Sequence, residues 1–185
     1  MAYFFFDFKD TRKQDAHAFL SSVLVQLSNQ SVSFCNILLE FYSAHQQSLK
    51  QPGDRELMQC LEKMLKIPTE DSIYFILDAL DECPDTSGFP SSREKVLELV
   101  EKLIGFDLPN LRLCATSRPE IDIKNVLEPL TSTKSRISLH DEEGQKKDIS
   151  NYVRSVVCSD RKMKQWRDSD KELVIETLSG RANGM

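Results

Sequence analysis

The sequence predicts an α/β fold around a parallel sheet, and two observations carry the prediction. Four apolar runs of strand length are separated by segments whose apolar residues recur at steps of three and four, so strands and helices alternate along the chain. The two central runs, IYFILD and LRLCATS, are apolar almost throughout instead of alternating with polar residues. Strands of a parallel sheet covered by helices on both faces read in that way. At 185 residues and 40% hydrophobic content the chain can bury a sizeable core, enough for one domain and the start of a second.

The elements follow in order. Residues 2–8, AYFFFDF, read as a strand whose aromatic run at 3–6 belongs to the core. Polar KDTRKQD leads to a helix in DAHAFLSSVLVQL, where Phe19, Leu20, Val23, Leu24 and Leu27 share one face and Asp15 caps the start. A second helix covers about 34–45. After the QPGD turn, a third places Leu57, Met58, Leu61 and Leu65 together and is closed by Pro68. Strand 73–78 comes next, then a loop rich in Pro, Ser and Gly, then SSREKVLELVEKLIG. In that helix Ser91 and Glu94 have capping-box spacing, Val96, Leu97, Val100, Leu103 and Ile104 form the stripe, and Gly105 suits a left-handed exit. A strand at 111–116 and a shorter one at 136–139 in RISLH complete the sheet. KKDISNYVRSVV, with Ile149, Tyr152, Val153 and Val156 on one face, and a helix at 171–178 close the chain. No internal repeat or low-complexity tract interrupts it.

Composition removes several function classes. A net charge of −5 and a pI near 5.3 leave no basic footprint for DNA or RNA. Five cysteines, far apart and without a C-x-x-C pair, argue against a disulfide framework or a zinc site and fit a reducing cytoplasm. AYFFFDF is too short to span a membrane, and Asp7 and Lys9 break any signal-peptide core, so no membrane is expected. His17, His45 and His140 lack metal-ligand spacing. Cys83 has no histidine partner and reads as a small half-buried residue, and Trp166 as a packing anchor among the C-terminal helices.

The chemistry concentrates where an apolar strand runs into Asp78, Asp81 and Glu82. In an open parallel sheet, ligands gather beyond the carboxyl ends of the strands. A carboxylate there can hold a hydrated Mg²⁺, and an acid a few residues on can orient or deprotonate an attacking water. The alternative is that Asp81 and Glu82 solvate a turn that Asp78 caps. The strand LRLCATS also ends in Ser117, Arg118 and Pro119, so an arginine reaches the same edge if the two strands are neighbours. It could read a terminal phosphate bidentately or be a solvated residue opening the next helix.

These residues carry a family resemblance. IYFILDALDECP resembles the Walker B segment of the NACHT domains, the signal-transducing STAND class of P-loop NTPases, in which an apolar strand is followed by D-[GAS]-x-D-E. LRLCATSRPE is similar to their sensor 1 strand, and AYFFFDFKDTRKQDAHAFLSSVLVQL to the segment after the P-loop in NACHT proteins of mushroom-forming fungi. The closing LVIETLSGRANGM resembles the lead into a winged-helix part. The resemblance implies a P-loop NTPase-type sheet of order 5-1-4-3-2, ATP or GTP bound with Mg²⁺, and a switch role among other domains or copies of a multidomain protein. It assigns Asp78 to the metal, Asp81 and Glu82 to the attacking water, and Arg118 to the γ-phosphate. Residues 1–140 would be the partial NTPase core and 141–185 the start of a helical region.

The departure is as clear as the match. No G-x-x-x-x-G-K-[ST] run occurs, and the six glycines are isolated, so the phosphate cradle and its lysine are missing from these residues. The chain is therefore expected to be a fragment or truncated product lacking the central P-loop strand, with none of the nucleotide bound by it alone. A non-catalytic interaction module derived from a NACHT protein is the second expectation. A phosphohydrolase using Asp78, Asp81 and Glu82 unaided is the third, because only Arg118 would neutralise substrate phosphate.

Overall fold

The computed structural model describes residues 1–45, 51–86, 88–132, 135–138 and 143–181, with backbone alone at 143–146. They form two compact units, Met1–Thr131 and Ser132–Met185. The first contains β1 (Ala2–Phe5), α1 (Ala16–Ser28), α2 (Val32–His45), α3 (Asp54–Leu65), β2 (Ile73–Asp78), α4 (Ser92–Gly105), β3 (Leu111–Ala115) and α5 (Ile121–Leu130). The strands form one three-stranded parallel sheet in the order β1-β2-β3, so the fold is α/β with β2 at the centre.

Strand register decides which side chains reach the core. Phe4 lies beside Leu77, and Phe75 beside Leu113, so alternation puts Ala2, Phe4, Ile73, Phe75 and Leu77 on one face. There they meet Phe19, Leu20 and Leu27 of α1, Leu61 and Met64 of α3, and Val100 and Leu103 of α4 in a single apolar cluster. Each fully buried Phe or Leu contributes about 2 kcal/mol relative to exposure. The opposite face is open: Tyr3, Phe5 and Tyr74 are about half exposed, and Arg112 and Cys114 are exposed too. Helices on both faces were expected, and those of the first unit cover one. An unbroken apolar run shows that both faces of a strand are apolar, not that both are covered. For the same reason the aromatic run splits, with Phe4 and Phe6 in the core and Tyr3 and Phe5 outside.

Local signals set the helix ends. Asp15 accepts the Ala18 N–H (2.8 Å) at the start of α1. At α4, Glu94 Oε2 accepts the Ser91 N–H (2.6 Å) while Ser91 Oγ accepts the Glu94 N–H (3.1 Å), a reciprocal box whose loss costs about 1 kcal/mol. Gly105 does not make the left-handed exit; it is the last helical residue, and the positive φ falls on Asp107 (47°). Helix α5 was expected only as the helix that Arg118 might open, and it begins three residues later, at Ile121. It is short, only Ile123 is fully buried, and Pro129 sits in its last turn, so its periodicity is faint. The strand expected at 136–139 is not seen over 136–138, where Ile137 is exposed, and Leu139 and His140 lie outside the described residues. With Ile137 turned to solvent, 136–138 bury no apolar side chain that would hold them to a sheet.

The second unit contains α6 (Glu143–Ser159) and α7 (Asp168–Arg181). Arg154 and Glu172 join the two helices through paired hydrogen bonds of 3.1 and 2.6 Å. This pair lowers the Glu172 carboxyl and raises the Arg154 guanidinium from their ordinary pKa values. The expected apolar face of α6 is rotated. Tyr152 and Val156 point to solvent and Val157 is buried, leaving Ile149, Val153 and Val157 in line at every fourth residue. Positions 152, 153, 156 and 157 are all apolar and fill two neighbouring rows, and packing against α7 selects one. Trp166 keeps 42% of its surface exposed and is less an anchor than a rim residue. Among the described residues no helix is long and apolar enough to cross a membrane.

Candidate functional site

The carboxyl end of β2 is turned back on itself by Ala79, which adopts the left-handed conformation (φ 57°, ψ 52°) and feeds the 3₁₀ turn Leu80–Glu82. Thr116, the residue after β3, fixes this reversal by bonding four consecutive residues. Its N–H donates to Leu77 O (2.9 Å), and its carbonyl accepts the Leu80 N–H (3.0 Å). Its hydroxyl accepts the Ala79 N–H (3.0 Å) and donates to Asp78 Oδ1. Buried Leu80 anchors the turn beneath.

The three acids then reach three different partners. Asp78 is held by Thr116 through one oxygen; its other oxygen has no partner among the described residues. Asp81 accepts the Arg118 N–H (3.0 Å) and faces its Nε at 3.4 Å, the carboxylate 11% exposed and the guanidinium 78%. Glu82 Oε2 accepts the Phe8 N–H (3.2 Å) from the segment after β1. One turn is thereby tied to the exits of all three strands. Beside it lies a depression of about 270 Å³ bounded by Phe8, Asp81, Glu82, Pro84, Arg93 and Arg118. That is below the roughly 300–1,000 Å³ of small-molecule pockets, so these residues alone do not enclose a nucleotide.

Arg93 supports the turn from behind. Its side chain, 12% exposed, projects from the first turn of α4 and donates to Asp81 O (2.7 Å), Cys83 O (2.9 Å) and Asp122 Oδ2 on α5 (3.2 Å). Two of its three acceptors are backbone carbonyls of the acid turn, which a guanidinium fork can serve at once. Cys83 is fully buried, not half-buried, and its thiol donates to Gln14 O (3.0 Å). Burial pushes its pKa up from 9.0 to about 12, with Arg93 opposing and Asp15 adding to the rise. A thiol so held is no nucleophile near neutrality.

The match of residues 1–118 to the family described as "Nephrocystin 3, N-terminal" spans the three strands and the acid turn, from β1 through Arg118. The chain belongs to the nephrocystin 3 N-terminal family. The match is to this family and not to a NACHT domain. No curated protein matches the chain, and no solved structure does.

For this member of the nephrocystin 3 N-terminal family, the structure brings all four sequence-derived candidates to one sheet edge. β2 and β3 are neighbours, and Asp78, Asp81, Glu82 and Arg118 lie within one turn and its contacts. Asp78 stands apart from the depression that Asp81, Glu82 and Arg118 line. Arg118, largely exposed as the solvated alternative expects, is also paired with Asp81. No group of three or more His, Cys, Asp or Glu among the described residues is arranged to hold a metal ion, so the acids do not form an all-protein cage. A single strand-end carboxylate with one oxygen oriented and the other open does fit Mg²⁺, which keeps most of its waters and takes one or two carboxylates. Sequence reasoning missed Thr116 and Arg93. Thr116 stands inside the quoted LRLCATS, where its β-branch passed for strand propensity; Arg93 has no sequence signal, because its partners are mainly backbone carbonyls.

Proposed function

We propose that the chain is the acid-bearing part of a nucleotide-dependent signalling switch of the NACHT type. In this proposal, ATP or GTP is held with Mg²⁺ and the phosphate cradle comes from outside these 185 residues. The observation that carries this is the convergence of Asp78, Asp81, Glu82 and Arg118 at the carboxyl edge of two adjacent parallel strands. When bound, Mg²⁺ supplies charge neutralisation at the nucleotide phosphates. Asp78, oriented by Thr116, would hold it on the protein side. Asp81 and Glu82 would orient the attacking water, and Arg118, leaving Asp81, would take the γ-phosphate. The outer edge of β3, where Leu113 and Ala115 turn their backbone groups away from β2, offers a strand carrying the cradle a place to pair. Its partners are other domains or copies of a multidomain protein in a reducing cytoplasm, a setting supported by five unpaired cysteines.

The reading is tested by calorimetry and phosphate release. The 185-residue chain should bind neither ATP nor GTP at micromolar concentration. Joined to a P-loop-bearing segment it should bind; Glu82→Gln should then slow hydrolysis while sparing affinity, and Asp78→Asn should weaken the Mg²⁺-dependent part of binding. Tight nucleotide binding by the chain alone, or a Glu82→Gln variant hydrolysing at the parental rate, would show these roles to be wrong. A second reading, a non-catalytic interaction module, is favoured by the open apolar sheet face at Tyr3, Phe5 and Tyr74. It expects no nucleotide binding even with the P-loop segment attached.

A further inference from the structure

The outer edge of β1 is occupied from the side of a helix. Phe6 donates its N–H to Asp78 O (3.0 Å), so even-numbered residues here turn their backbone groups toward β2, and Met1, Tyr3 and Phe5 turn theirs outward. Outward groups on an edge strand are a template for pairing with another strand. Gln26 of α1 takes both groups of Tyr3: its Oε1 accepts the Tyr3 N–H (3.0 Å) and its Nε2 donates to Tyr3 O (2.7 Å). Four residues on, in the turn just past the end of α1, Gln30 does the same for Met1. Its Oε1 accepts from the Met1 nitrogen (2.5 Å) and its Nε2 donates to Met1 O (2.7 Å). Further bonds from Gln26 Nε2 to Ser22 Oγ (2.9 Å) and from Gln30 Nε2 to Gln26 O (2.7 Å) hold both amides in place.

The spacing explains why this works. The last residues of α1 and the turn that follows advance about 6 Å over four residues, close to the roughly 6.6 Å of two strand residues, so glutamines four apart meet strand residues two apart. A primary amide carries a donor and an acceptor side by side, as a strand residue does. We propose that Gln26 and Gln30 act as a two-residue surrogate strand that closes the β1 edge against pairing with β1 of a second copy of this chain. The shielded strand is one that needs shielding. AYFFF has no charge, proline or glycine, and Tyr3 and Phe5 show their rings on the open face beside the edge.

Hydrogen exchange on the unmodified chain gives the first test. The Tyr3 amide should exchange on the order of fivefold more slowly than the outward-facing Phe5 amide, after correction for intrinsic rates, for the protection of one hydrogen bond. Equal rates would overturn the proposal without recourse to any variant. Q26N/Q30N keeps charge and chemistry but shortens each side chain by one methylene, and Q26A/Q30A removes the amides. Both pairs should lose Tyr3 protection and self-associate at least tenfold more tightly than the unmodified chain in sedimentation velocity. Phe5 exchange should slow with rising concentration as it meets a second β1. Folded variants that lose Tyr3 protection yet associate no more tightly, or that associate with Phe5 still unprotected, would overturn the proposal.

Discussion

Replacing Arg93 by alanine tests the support of the acid turn. The side chain is nearly buried and donates to the carbonyls of Asp81 and Cys83 and to the Asp122 carboxylate. Hydrogen bonds from a charged donor contribute about 1.5 kcal/mol each at the low end, and the two carbonyls lose theirs without replacement. Asp122 is 40% exposed, so its ion pair adds no more than about 1 kcal/mol after solvent screening. The expected loss is therefore about 3–4 kcal/mol. In urea unfolding followed by far-ultraviolet circular dichroism, this should lower the midpoint with the slope unchanged. In a thermal scan it should lower Tm by roughly 10 °C for a unit of this size. Asp122→Ala should cost under about 1 kcal/mol, because it spares both carbonyl bonds. Arg93→Lys should fall between, since an ammonium does not reach three separated acceptors from one position. An Arg93→Ala loss no larger than that of Asp122→Ala would refute the carbonyl clamp and leave only a surface ion pair.

Three further outcomes follow from the same turn and its cysteine. Ala79 is left-handed, which costs a non-glycine residue about 1–2 kcal/mol, so Ala79→Gly should stabilise by about 0.5 kcal/mol after glycine's unfolded-state entropy is counted. A lower urea midpoint for that variant would mean that the reversal at Ala79 is misplaced. The Cys83 thiol keeps its proton to about pH 12 in the fold against an ordinary value of 9.0, so its contribution is complete below pH 9 and is lost as pH rises from there. The parental chain should therefore lose stability faster than Cys83→Ala between pH 9 and 11; parallel pH curves would contradict this. Iodoacetamide at pH 8 should label exposed Cys114 and Cys158 and leave Cys83 untouched until the chain unfolds.

Much of the first unit was legible because its signals are local. Ser91 and Glu94 cap α4 through their own spacing, and IYFILD is long and apolar enough to be a strand in any context. The acids and Arg118 were visible because each ends a strand, and parallel neighbours end at the same edge. What was not legible depends on partners far along the chain. Whether Tyr3, Phe5 and Tyr74 are covered is decided by elements beyond their own strands, and whether α6 buries Val156 or Val157 is decided by α7. The pairing of Arg118 with Asp81 spans 37 residues and needs the turn at Ala79, which an alanine does not announce. Gln26, inside the first helix, and Gln30, just past its end, carry no sequence signal until β1 is laid against them.

The one-sided sheet also governs how this molecule can be watched. Its buried aromatic side chains are all phenylalanines, Phe4, Phe6, Phe19, Phe34 and Phe75 among the described residues, while Tyr3, Tyr42, Tyr74, Tyr152 and Trp166 all lie at the surface. Phenylalanine contributes almost nothing to emission excited near 280 nm, so intrinsic fluorescence is nearly blind to loss of the core. It is sensitive instead to anything that settles on the exposed β1 and β2 rings. A tyrosine signal that changes on adding a partner, while circular dichroism stays still, would report an arrival at the open face and not a change of fold.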